Sequence, residues 1–138
     1  MSKVSMSLDL GVPADKVWDL IGGFNALPDW HPAVEKSEIE GEGKGSVRTL
    51  HLAGGGTITE RLEQLDDEGK VYSYSILSSP LPVANYTSTL RLEDGPSGCK
   101  VIWESNFEPA GAPEGDAVQV IQGIYQAGFD NLKKMFGG

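Results

Sequence analysis

Cysteine is nearly absent. Cys99 stands alone among 138 residues, which excludes an internal disulfide framework and any multi-cysteine zinc site. A reducing, cytoplasmic compartment is the default setting for such a chain. Histidine is almost as scarce. His31 and His51 are the only two, and no H-x-x-x-H pattern joins them, so neither a metal centre nor a Ser-His-Asp arrangement is expected. Basic residues are outnumbered, 11 against 20 acidic, for a net charge of −9. Nucleic-acid binding calls for a basic face, yet Lys133-Lys134 is the only adjacent basic pair. The same deficit disfavours an anionic membrane surface, and acidity of this kind serves mainly solubility. No apolar run reaches the roughly 18 residues that a membrane-spanning helix needs. Met1 to Ser5 holds one lysine and no apolar stretch, so no secretory signal is expected. Repeats, low-complexity tracts and Pro/Gly/Ser-rich linkers are missing too. The expectation is one domain over residues 1–138, without a cofactor, monomeric or homodimeric, whose partner is a small molecule.

What the chain does have is clear periodicity. Val4, Met6, Leu8 and Leu10 alternate with Lys3, Ser5, Ser7 and Asp9, the pattern of a half-buried strand. Pro13-Ala14-Asp15 opens a helix whose Val17, Leu20, Ile21 and Phe24 have helical spacing. A second short helical piece is expected over 25–30, ending before Pro32. From Val34 to Phe107 the period becomes two. Six strands are expected, over 34–40, 46–52, 57–65, 70–77, 86–92 and 100–107, joined by turns into an antiparallel meander. Gly54-Gly55-Gly56 reads as hairpin turn chemistry; it lacks the Lys-Ser/Thr and helix of a phosphate loop. Ser79-Pro80-Leu81-Pro82 reads as a loop. A final helix carries Ala117, Val118, Ile121, Ile124, Tyr125, Phe129, Leu132, Met135 and Phe136 on one face. From Asp116 to Phe136 it would span about 31 Å. The order is thus β-α-α-β-β-β-β-β-β-α. The long helix must bury its face against the sheet, and the space between them is the natural place for a ligand cavity.

Strand parity selects the cavity lining. In 46–52, Arg48 is in phase with Leu50 and Leu52; in 57–65, Glu60 is in phase with Ile58 and Leu62. Alternate side chains share a face, so both charges point inward. A hairpin closing through Ala53-Gly54-Gly55 would set Arg48 opposite Glu60, with Cβ atoms about 5 Å apart. Charges on an apolar face must be paired. The two form either a self-satisfied ion pair or a polar anchor. As an anchor, Arg48 would hold a ligand oxygen and Glu60, its pKa raised by burial, would act as acid or base. The same parity adds Tyr72, Tyr74, Tyr86, Leu90 and Trp103 from later strands, and Ile121 and Tyr125 from the last helix. The tyrosines are either core residues or hydroxyl donors to a ligand. Gly128, in the middle of the apolar stripe, provides either close helix–sheet packing or room for a ligand. Trp18 and Trp30 either pack in the core or cover the cavity mouth. His31 is expected in a structural or exposed role, and His51 in solvent.

Several stretches together resemble the START-like superfamily, also called SRPBCC or the birch-pollen-allergen fold, in its polyketide cyclase/dehydrase-like branch. They are Val12-Pro13-Ala14-Asp15-Lys16-Val17-Trp18, Trp30-His31-Pro32-Ala33-Val34, Gly45-Ser46-Val47-Arg48-Thr49-Leu50, and Glu60-Arg61-Leu62-Glu63 with Asp66-Asp67. Pro80 to Tyr86 and Trp103 to Pro109 fit as well, so the resemblance covers essentially the whole chain. It implies an α+β helix-grip fold: a strongly curved antiparallel sheet of about seven strands around a long C-terminal helix, with two short helices after the first strand. It also implies an apolar cavity under that helix. Lachrymatory factor synthases are similar around Arg48 and Glu60, which implies a catalytic role for these two. Because one fold hosts many functions, three readings follow. The first is a binder of a small hydrophobic molecule such as a lipid, quinone or polyketide. The second is a cofactor-independent cyclase, dehydratase or isomerase. The third is a protein-interaction module, which would have a filled interior and an exposed apolar patch.

Overall fold

A computed structural model describes residues 2–136. Strand β1 (Ser2–Leu10) leads through Pro13 into α1 (Ala14–Ile21) and the single turn α2 (Leu27–Trp30). Six strands follow: β2 (Val34–Glu40), β3 (Val47–Leu52), β4 (Thr57–Asp66), β5 (Val71–Ser78), β6 (Val83–Gly95) and β7 (Gly98–Pro109). Helix α3 (Glu114–Phe136) ends the chain. All pairings are antiparallel, in the order β1-β7-β6-β5-β4-β3-β2. This is the helix-grip architecture expected above.

The sheet curves where its ladders slip. Register shifts fall between Val34 and Lys36, at Thr59/Glu60 and Leu62/Gln64, and between Ala84 and Thr87. Each such irregularity bends its strand and increases the local twist. The last of them corrects the expected start of β6. This strand begins at Val83 and runs through Asn85, whose φ is +53°, a conformation asparagine tolerates better than most residues. The β3–β4 hairpin turns on Gly54, Gly55 and Gly56, all with φ near +90 to +100°, where a Cβ would be strained.

Helix α3 lies across the concave face and buries Ala117, Ile121, Tyr125, Gly128, Phe129 and Leu132. The ring of Tyr125 stacks on Trp103 of β7, centroids 4.2 Å apart. Ser2 Oγ donates to Glu114 at 2.8 Å and anchors the start of α3 on β1; Asn131 donates to the Trp30 carbonyl at 2.8 Å and ties its end to α2. The buried stripe is narrower than its periodicity suggested, and Met135 is 47 % exposed. No helix among the described residues is long and apolar enough to cross a membrane.

Candidate functional site

The ladder between β3 and β4 pairs Arg48 with Glu60 and Leu50 with Ile58. Both charged residues face inward, Arg48 fully buried and Glu60 4 % exposed. Arg48 Nε donates to Glu60 Oε1 at 2.8 Å. Nη2 lies 2.7 Å from the same oxygen, at an angle that makes it an electrostatic contact rather than a hydrogen bond. Nη1 donates to the Phe24 carbonyl. The Phe24 ring then covers the guanidinium, 4.0 Å from its centroid, and Tyr74 flanks it at 4.9 Å, a cation–π arrangement. Burial opposes the Arg48 charge, but Glu60 and the neighbouring tyrosines more than compensate and hold the proton on. Burial raises the Glu60 pKa, against the pull of Arg48.

Glu60 also lines a cavity of about 220 Å³ between the sheet and the middle of α3. Its apolar wall comes from Leu50 and Ile58 on β3 and β4, Ile76 and Trp103 on β5 and β7, and Ile121 and Ile124 on α3. Leu52, Ala53, Leu81 and Val120 also lie on it, and Val120 is 38 % exposed. The polar groups on the wall are Glu60, Tyr74, Tyr86, Tyr125 and His31.

Hydrogen-bond accounting fixes most of their protons. Ser88 Oγ is 3.0 Å from the Glu104 carbonyl, which can only accept, so the serine proton goes there. Ser88 therefore accepts from Tyr125, 3.1 Å away. Tyr125 in turn accepts from Tyr86. The Tyr74 oxygen accepts from Trp103 Nε1 at 3.1 Å. His31 Nε2 must donate to the Ile124 carbonyl at 2.7 Å, and Nδ1 accepts from the Ala33 amide at 3.2 Å. Both ring nitrogens are satisfied only in the neutral form, and burial lowers the His31 pKa to match. Burial raises the tyrosines above their ordinary value, Tyr125 to about 12.

Eight of the residues singled out by parity stand on the cavity wall: Leu50, Ile58, Glu60, Tyr74, Tyr86, Trp103, Ile121 and Tyr125. Four do not. Arg48 is sealed behind Glu60 and Phe24, so it does not reach a ligand oxygen. Tyr72 packs between Trp18 and Phe24, at 6.2 and 5.8 Å between centroids. Leu90 is buried in the sheet core. Gly128 makes no room for a ligand, because a Cβ there would sit 2.9 Å from the Trp30 ring, 3.0 Å from His31 and 3.2 Å from Trp103. Trp30 is therefore core, and Trp18 is held by a 3.1 Å bond to Asp67. His51 is partly exposed and pairs with Glu38 at 2.6 Å. Parity did not bring His31 to the cavity. Its partner carbonyl lies 93 residues away, and no local pattern signals such a contact.

The fold has counterparts among known proteins. A family model described as polyketide cyclase / dehydrase and lipid transport matches residues 1–137. The abscisic acid receptor PYL7 of Arabidopsis thaliana is 28 % identical across 89 % of this chain, which spans only 61 % of the receptor's length. The solved structure of the Bacillus cereus protein XoxI superposes with a TM-score of 0.93 at 37 % identity, covering 99 % of this chain and 96 % of that one. The ZhuI aromatase/cyclase of Streptomyces sp. R1128 shares the fold, with a TM-score of 0.79 at 21 % identity over 99 % of this chain and 93 % of its own. The chain belongs to the polyketide cyclase / dehydrase and lipid transport family, within the START-like superfamily.

Proposed function

We propose that the protein binds a small hydrophobic or amphipathic molecule in the cavity between α3 and the sheet. One observation carries this reading: an apolar chamber whose wall includes a buried carboxyl and buried tyrosine hydroxyls. Its 220 Å³ exceeds the roughly 150 Å³ that accommodates benzene and falls short of the roughly 300 Å³ at which drug-sized pockets begin. That size favours one or two rings over a full-length lipid. Glu60 also supports a second reading, as a cofactor-independent cyclase, dehydratase or isomerase. A carboxyl with a raised pKa on a cavity wall is suited to proton transfer, with Arg48 holding it in place. The interaction-module reading would require a filled interior, which the cavity argues against.

Native mass spectrometry of freshly purified protein, compared with its denatured mass, tests the binding reading. An added small mass that is lost on denaturation, or thermal stabilisation by members of a panel of small aromatics and quinones, is the expected result. A bare mass together with no stabilisation by any panel member overturns it. For the second reading, Glu60→Gln should abolish conversion of that compound even at concentrations that saturate the variant, and conversion that persists there overturns it.

A further inference from the structure

The cavity wall offers a ligand no free cation among the described residues. Among the described residues, no lysine or arginine lines it. The nearest guanidinium, Arg48, is covered by Phe24 and bonded to Glu60 Oε1. His31 is neutral, with both nitrogens engaged. Glu60 is thus the only acidic group on the wall, paired through Oε1 with Arg48, and its Oε2 has no hydrogen-bond partner among the described residues. On the same wall, the Tyr74 oxygen is occupied by Trp103 while its proton has no acceptor among the described residues. An unpaired acceptor and an unpaired donor therefore share one apolar chamber. A ligand carboxylate would set acceptor oxygens against the acceptor Oε2, and Arg48, already engaged by Glu60 and covered by Phe24, gives it no donor. A hydroxyl answers both groups at once, because it donates one bond and accepts another.

We propose that the cavity selects a neutral one-ring molecule bearing a hydroxyl, its O–H donated to Glu60 Oε2 and its oxygen accepting the Tyr74 proton, and that it rejects the corresponding carboxylate. This inference rests on the binding reading above. The test uses three probes matched in size, p-cresol, p-xylene and p-toluate, titrated at pH 7 by NMR chemical-shift perturbation. p-Cresol should bind about tenfold tighter than p-xylene, the factor expected of a hydrogen bond to a charged acceptor. p-Toluate should bind most weakly of the three. p-Cresol no tighter than p-xylene, or p-toluate matching p-cresol, overturns the inference and leaves cavity binding intact. No binding by any of the three overturns the inference, and the binding reading then stands or falls on the mass and stabilisation test above.

Two variants extend the test. Glu60→Gln removes the negative charge, leaves Arg48 uncompensated, and should reverse the preference, with p-toluate gaining and p-cresol losing about tenfold. Tyr74→Phe should weaken p-cresol and leave p-xylene unchanged, whether or not the first variant folds. A wild-type ratio of p-cresol to p-xylene affinity in Tyr74→Phe would sink the role of that hydroxyl.

Discussion

Arg48–Glu60 and Arg91–Glu93 are both arginine–carboxylate pairs built on β-strands, with closest approaches of 2.7 and 2.6 Å. The first joins neighbouring strands across the concave face, with side chains 1 % and 6 % exposed; the second joins two positions of β6 on the outer face, at 36 % and 53 %. The same contrast recurs elsewhere. His31 is buried with both nitrogens bonded, while His51 shares a partly exposed bond with Glu38. Gly128 faces three rings, and Gly123, on the same helix, faces open space. In each pair the residue type is constant and the environment decides what it does. Inside, a polar group is locked to its partner, because losing either one strands the other without water. Outside, water replaces whatever is lost.

Mutations that break one member of each pair should show this, beginning with the largest effect. Arg48→Met leaves Glu60 unpaired and should cost about 3–5 kcal/mol in denaturant unfolding. Arg48→Met combined with Glu60→Leu should recover most of that loss, since apolar replacement of a whole buried pair is often neutral. If the double variant is as unstable as the single, the ion pair is not the source of the loss.

The buried histidine should show itself in the pH dependence of stability. The folded state depresses the His31 pKa below its ordinary 6.5, so the unfolded chain takes up the proton first. The His31 contribution is complete above pH 6.5 and is lost as the pH falls toward the folded value, at up to about 1.4 kcal/mol per unit. His31→Gln should flatten this part of the stability profile. Parallel profiles for wild type and His31→Gln would contradict the neutral, doubly bonded ring.

The glycines should respond with opposite signs. Gly123→Ala gains helix propensity, up to about 1 kcal/mol. Gly128→Ala gains the same but drives its methyl into the Trp30 ring, for a net loss of about 1 kcal/mol after overpacking. Thermal unfolding of the two variants reads the difference, and a stabilising Gly128→Ala would mean that slack remains there. Arg91→Ala should be the mildest change, about 0.2–1 kcal/mol, and smaller still in high salt. A loss as large as that of Arg48→Met would erase the contrast between the pairs.

Much of this could be read from the chain before any coordinates. Alternation with a period of two defines the strands, and the 3.6-residue stripe of Ile121, Tyr125 and Leu132 defines the helix that must cover them. Arg48 falls in phase with Leu50, and Glu60 with Ile58, which turns both charges inward and makes them neighbours once Gly54-Gly55-Gly56 closes the hairpin. These are local facts: side-chain direction follows from backbone period, and cross-strand partners from the length of a tight turn. Tertiary packing alone decided the rest. Phe24, 24 residues from Arg48, shuts the guanidinium away from the cavity. The Ile124 carbonyl, 93 residues from His31, fixes that ring's proton. Trp30 and Trp103 occupy the notch that Gly128 leaves. Whether an inward-facing side chain ends on a cavity wall or behind it depends on the shapes that close over it from distant parts of the chain. Interiors fill to crystal-like density, and a few tenths of an ångström at such a contact separate a packed core from an open cavity.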